Sequence, residues 1–153
     1  MKPLNIFFSA IDGVLRTDDG VFASPGFHRW DFENGFAKDI SASESAPDFF
    51  LYGPIAIKLW GQKFVAGVRF YKDAIHGITL TLELGKVAAL GYDATEKDLL
   101  LEKKILTTMV SKYTGCMPSS TSLGADVFEF PWGGVITRAD LKSTWSGIEV
   151  RYK

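Results

Sequence analysis

The chain has 153 residues, 46% hydrophobic and 14% aromatic, a length that suits one domain over 1–153 and needs no metal or disulfide to hold a core. Seventeen basic residues against eighteen acidic give a net charge of −1, which excludes the basic footprint that duplex nucleic acid demands. No run of about eighteen apolar residues is present to span a membrane as a helix, and the lone Cys116 cannot close an internal disulfide, which fits a cytoplasmic setting.

Residues 1–46 carry the weakest pattern and are expected to supply strands and loops beside a sheet-plus-helix core over 47–153. The opening Met1–Ala10 stretch has one lysine and a short apolar run broken by Pro3 and Asn5, too short for the apolar segment of a signal peptide. Residues 6–15, Ile-Phe-Phe-Ser-Ala-Ile-Asp-Gly-Val-Leu, resemble the first motif of haloacid-dehalogenase-type phosphatases, an apolar strand ending in Asp-x-Asp-Gly. In that family the first Asp is the nucleophile that becomes an aspartyl-phosphate, and the second handles the leaving-group proton. Here Ala10 stands at the nucleophile position and only Asp12 matches, so the stretch reads as a strand ending in a turn at Asp12-Gly13. Asn34-Gly35 marks a further turn, and residues 41–46 read as a mobile loop.

From Phe49 onward the period is clear. Residues 49–60 place Ile55, Ile57 and Leu59 on one side and Ala56, Lys58 and Trp60 on the other, with an early interruption at Gly53-Pro54. Gly61-Gln62 makes a tight connection to residues 63–71, where Phe64, Ala66, Val68 and Phe70 oppose Val65, Gly67, Arg69 and Tyr71. Residues 75–84 alternate again through Ile78, Leu80, Leu82 and Leu84.

The period then changes from two to about 3.6, and a long helix is expected over 94–114. Asp93 with Glu96 offers one capping pair and Thr95 with Asp98 a slightly later one; Gly115 supplies the stop. Leu99, Leu106, Met109, Val110 and Tyr113 trace the stripe expected to be buried, with Leu100, Leu101 and Ile105 widening it, Glu102 at its edge and Lys97, Lys103, Lys104 and Lys112 in water. A polar loop follows over 117–124, then strands from Val127 to Phe130, from Val135 to Arg138 and from Trp145 to Tyr152, with a turn at Asp140–Ser143. The order strand-strand-strand-helix-strand-strand predicts an α+β fold: an antiparallel-rich sheet of about five to seven strands with one long amphipathic helix on one face.

Chemistry-bearing groups are sparse. His28 and His76 lie far from Cys116 and from each other, and His76 shares a strand face with Ile78 and Leu80. Asp12, Asp18 and Asp19 lack the alternating oxygen ligands and closing Glu of a calcium loop. Gly85-Lys86 lacks the spacing of a phosphate-binding loop, and Ser119, Ser120 and Ser122 have no histidine as base. No catalytic residue, cofactor or metal site is assigned. Trp60, Trp132 and Trp145, with Arg138 and Asp140 as a charged rim, form the best binding candidate, since aromatics on loops and edges bury much area for little entropy; the bland alternative is that they close the ends of the core. An exposed Trp132 favours the first reading and a buried Trp132 the second.

The sequence thus predicts a non-catalytic module that binds another protein, an inhibitor or a bacterial toxin-neutralising immunity-type protein, with no nucleic-acid or membrane partner. The alternatives are a ligand-binding or enzymatic domain with a pocket between sheet and helix, Arg69, Tyr71, His76 and Glu83 supplying its polar contacts, and a structural homo-oligomer.

Overall fold

The computed structural model of the protein describes residues 2–38, 40 and 42–153. In chain order the strands are β1 (Leu4–Ser9), β2 (Val14–Thr17), β3 (Gly20–Ala23), β4 (Ala42–Ala46), β5 (Phe49–Leu59), β6 (Gln62–Tyr71), β7 (Ala74–Leu82), β8 (Ser120–Thr121), β9 (Ala125–Phe130), β10 (Gly133–Asp140) and β11 (Trp145–Tyr152). The helices are α1 (Arg29–Asn34), α2 (Lys86–Leu90) and the long α3 (Glu96–Thr114), with one 3-10 turn at Gly91–Asp93. The strands form one sheet in the order β3-β2-β1-β5-β6-β7-β11-β10-β9-β8, and β4 pairs with β5. Two strands share one edge of β5: β4 runs antiparallel against Phe49–Tyr52, and β1 runs parallel against Ile57–Leu59.

This mainly β, eleven-stranded mixed sheet overturns the expected α+β domain of five to seven strands around one helix. The difference lies chiefly in the N-terminal segment, which supplies four strands of four to six residues each. Strands that short hold too few alternations to register as a period. Residues 42–46 of the expected loop are β4, and Ser41 lies outside the described residues. β1 and β2 form an antiparallel hairpin about the Asp12-Gly13 turn, so the phosphatase-like stretch does not lead into a parallel strand-helix unit.

Alternation sorts the central six strands into two faces. Ile55, Ile57, Leu59, Phe64, Ala66, Val68, Phe70, Ile78, Leu80, Ile148, Val150, Val135 and Phe128 all point inward and are buried in one core. Two covers share this inner face. Over β5 and β6, Phe22 of β3 meets Phe32 of α1 edge-on at 5.6 Å, and Phe32 in turn meets Tyr52 at 5.4 Å and Phe70 at 5.6 Å. Over β10 and β11 lies α3, which buries Leu106 and Val110 in the same core.

The α3 cap is the later of the two expected pairs. Thr95 Oγ1 accepts from the Asp98 backbone N–H at 3.2 Å, and Asp98 Oδ2 accepts from the Thr95 N–H at 2.9 Å. Those hydrogen bonds, with Lys86 nearby, hold the Asp98 carboxyl at about 2. Asp93 is left in the 3-10 turn.

Two of α3's charged residues sit deeper than their spacing implies. Glu102, expected at the edge of the stripe, is 4% exposed, because Ser146 Oγ donates to it at 2.8 Å and the Val87 N–H at 3.1 Å. Lys103, expected in water, donates to the Ser122 carbonyl at 2.7 Å and pairs with Asp126 at 3.0 Å. Asp126 also accepts from Thr107 Oγ1 at 2.8 Å, and Thr107 meets the buried Thr137 hydroxyl.

The N-terminal cover meets the β9–β10 turn at Trp132. Its indole stacks on Phe130 at 5.3 Å, meets Phe8 edge-on at 6.0 Å and donates from Nε1 to the Ala10 carbonyl at 2.8 Å. Gly13 lies beneath the ring at φ +72°, where an added Cβ would stand 2.3 Å from an indole carbon. Tyr152 closes the junction by donating its hydroxyl to the Gly13 carbonyl at 2.9 Å, and burial pushes its phenol well above the usual range.

Trp132→Ala should therefore cost about 3–5 kcal/mol of unfolding free energy, as large aromatic truncations in a packed site do. Gly13→Ala should cost more than the roughly 1–2 kcal/mol of a left-handed non-glycine residue, since the indole must also move. In the double variant that extra cost should vanish, leaving a coupling energy of about 0.5–3 kcal/mol in urea-denaturation cycles.

Candidate functional site

Both covers pack on the inner face. Among the described residues no layer covers the opposite face of β5, β6, β7, β11, β10 and β9, and pairing register defines what it carries. One row runs Leu51, Arg69, Gly77, Arg151, Gly134, Glu129 across the six strands. The next runs Gly67, Thr79, Glu149, Ile136, Val127. Small residues and charged residues thus alternate where a second layer would need a continuous apolar surface.

A charged network occupies the middle of this face. Glu149, 7% exposed, accepts from Arg138 Nε at 2.7 Å through one carboxylate oxygen and from Arg151 Nε at 3.0 Å through the other. Arg69 forms no ion pair among the described residues, and its Nε is buried without a hydrogen-bond partner. At the β6–β7 end stand Phe49 and Tyr71, ring centroids 4.8 Å apart, with His76 edge-on to Phe49 at 6.3 Å. Phe49 and Tyr71 are 37% and 43% exposed.

His76 reaches this outer face through a bulge. The ladder between β6 and β7 slips at Arg69/Phe70, so Ile75 faces Phe70 in the core and Gly77 faces Arg69. His76 is the extra residue, exposed and turned from the face of Ile78 and Leu80 on which plain alternation places it. Partial burial, then the positive charges of Arg69 and Arg151, hold its imidazole below the usual value, with Glu149 opposing them.

Gly77 sets the floor of the row. A Cβ there would stand 2.6 Å from the Val150 carbonyl oxygen, so the approach of β7 to β11 requires glycine and leaves a side-chain gap between Arg69 and Arg151. Two concavities open on the same face, one of about 550 Å³ over Gly133 and Gly134 beside Glu129 and Arg151, the other of about 240 Å³ over Gly67.

The aromatic candidates fare differently from one another. Trp132 is buried, 8% exposed, in the junction with Gly13. Trp60 is half-buried and stacks on Tyr113 of α3 at 5.2 Å, away from the outer face. Trp145 is half-buried on the outer face, folded across Gly147, with Nε1 donating to Thr81 Oγ1 at 2.9 Å. Arg138 belongs to the Glu149 network, and Asp140 accepts the Lys142 and Ser143 backbone N–H groups in the β10–β11 turn. The five therefore do not form one patch. Of the pocket candidates, Arg69, Tyr71 and His76 gather on the outer face, opposite α3, whereas Glu83 lies at the far end, where its backbone N–H donates to the Lys63 carbonyl. The residues missed were Phe49, Glu149 and Arg151; alternation along 145–152 sets the last two opposite Ile148, Val150 and Tyr152, but nothing local tells that β11 lies against β7.

Among the described residues no group of three or more His, Cys, Asp or Glu side chains is placed to hold a metal ion, and no helix is long and apolar enough to cross a membrane. Comparison with known proteins finds no family model, no curated protein and no solved structure that matches the chain. What the outer face offers chemically is charge, hydrogen-bond donors and aromatic surface.

The electrostatic reading has a direct check in the His76 titration followed by NMR. Removing positive charge in Arg69→Gln or Arg151→Gln should move the His76 pKa upward toward 6.5, and Glu149→Gln should move it further down. No shift in either direction would separate His76 from this network.

Proposed function

We propose that this protein is a non-catalytic binding protein that recognises a protein partner through the uncovered face of its central sheet. The observation that carries the reading is that face itself: a sheet surface with no covering layer, bearing two half-exposed aromatic rings and three arginines within a few strands. Tyr and Arg are the residues that dominate binding energy at protein interfaces, because they combine large contact area with several donors. An inhibitor or a toxin-neutralising protein is a form such a binder takes, since either acts by covering its target. Trp132 plays no part, being committed to the core junction.

A competing reading places a small ligand in the concavity of about 550 Å³ over Gly133 and Gly134. Its volume lies within the roughly 300–1,000 Å³ of known ligand sites. It is wide and shallow, however, with Glu129, Arg151 and Lys153 as its charged walls, which fits a docking surface better than an enclosing one.

The test is site-specific photo-cross-linking in cells from Thr79 and Val127 on the outer face, with Lys97 and Lys104 on the solvent side of α3 as controls. Cross-linking of one heterologous protein from the first pair and not the second is expected. With that protein in hand, Tyr71→Ala should weaken binding by about 2 kcal/mol, roughly thirtyfold in Kd, at unchanged thermal stability. Failure to cross-link from the outer face, together with thermal stabilisation by a small molecule that Gly134→Trp abolishes, would replace this reading with the ligand-binding one.

A further inference from the structure

The chemistry of the outer face narrows the class of partner, a step that rests on this face being the docking site. Glu149 engages Arg138 and Arg151 only through their Nε atoms, and the terminal Nη groups of both arginines make no hydrogen bond to protein among the described residues. Arg69 has no ion-pair partner there. Two guanidinium groups thus hold one carboxylate, and a third arginine, Arg69, stands two strands from Arg151, on a chain whose overall charge is −1.

The gap between two of them has a definite form. Arg69 and Arg151 are the cross-strand neighbours of Gly77 on either side, which sets their Cα atoms about 10 Å apart, two strand spacings of roughly 4.8 Å. Gly77 contributes no side chain between them, and the approach of Val150 forbids one. Phe49 and Tyr71 stand next along the face. We infer that the occupant is an acidic segment of a partner protein, one carboxylate of which lies over Gly77 between the guanidinium groups of Arg69 and Arg151, with flanking side chains against Phe49 and Tyr71.

Charge complementarity favours this occupant. A guanidinium offers paired N–H donors that match the two oxygens of a carboxylate, and such charge-assisted bonds are among the strongest side-chain contacts. A nucleic acid, by contrast, requires a track of many phosphate contacts. Here Glu129 lies in the same row just beyond Gly134, and Glu149 lies in the adjacent row, so a polyanion laid along the face would meet negative charge at once. A single acidic side chain entering over Gly77 avoids Glu129.

The experiment uses fluorescence anisotropy with a short labelled peptide of alternating Glu and Val, alongside its Lys-Val counterpart, inorganic phosphate and oligothymidylate. The Glu-Val peptide should bind and the Lys-Val peptide should not. Affinity should fall about tenfold or more in R69Q/R151Q and at salt near 1 M, where the Debye length is about 3 Å, and stay unchanged in K58Q/K63Q at the far end of the face. Because Arg69 has no ion-pair partner among the described residues, R69Q alone should keep the wild-type melting temperature and still show the loss. Unaltered binding in R69Q and R69Q/R151Q, tighter binding of oligothymidylate or phosphate, or self-association of the protein that R69Q abolishes would each overturn the inference. A partner that still cross-links from Thr79 while the acidic peptide fails sinks the carboxylate alone. Absence of both sinks the docking face with it.

Discussion

The contact between Trp132 and Gly13 is the constraint on which the arrangement depends, because it ties the N-terminal cover to the far strands of the sheet, the strands over which α3 lies. The N-terminal strands with α1 roof one half of the inner face, and α3 roofs the other. Trp132 belongs to the β9–β10 turn and Gly13 to the β1–β2 turn, so the junction ties residues more than a hundred positions apart. It is over-determined: the ring needs the space that glycine leaves, the indole N–H takes the Ala10 carbonyl, and the Tyr152 hydroxyl takes the Gly13 carbonyl. With both covers committed to the inner side, the outer side keeps whatever the alternating residues of the strands bring to it.

A second constraint fixes where α3 lies. An apolar stripe on a helix packs on a sheet in several neighbouring rotations, since hydrophobic burial is not directional. The polar contacts beneath α3 remove that freedom. Glu102 must reach Ser146 and the Val87 N–H, and Lys103 and Thr107 must both reach Asp126. A buried ion pair adds little net stability over a well-packed apolar pair, but stranding one of its members costs about 3–5 kcal/mol. Rotating or sliding the helix strands several at once, so these groups select one placement even where they add little to its depth.

How much of this was legible in the sequence depends on which physical signals are local. The long strands from Phe49 to Leu82 and the last strands from Ala125 to Tyr152 announce themselves by period, and α3 by the change of period and its caps. Four short N-terminal strands leave no such signature, because β2 and β3 have four residues each and β4 is exposed throughout, with no buried side to alternate with. Glu102 and Lys103 were misplaced because burial of a charge depends on a partner supplied from elsewhere in the chain, here Ser146 and Asp126. His76 was misplaced by a bulge, which inverts the face of a residue without changing its neighbours in sequence. Arg69 was legible as outward-facing, but its juxtaposition with Arg151 depends on β7 pairing with β11, two strands separated in the chain by α3 and by β8, β9 and β10.

The outer face also shows how an uncovered sheet avoids becoming a second core. A continuous apolar surface there would collapse onto any other apolar surface, including its own copies. Instead Gly67, Gly77, Gly134 and Gly147 bring backbone close to the surface, and Thr79, Thr81 and the Glu149 network separate larger apolar residues such as Leu51, Val65, Val127, Ile136 and Trp145. Such a surface gains little from burial alone. On the docking reading proposed above, a partner would have to supply groups of the right charge at the arginines and side chains long enough to fill the glycine rows. Specificity would then be electrostatic in origin, with Phe49 and Tyr71 adding contact area at one end.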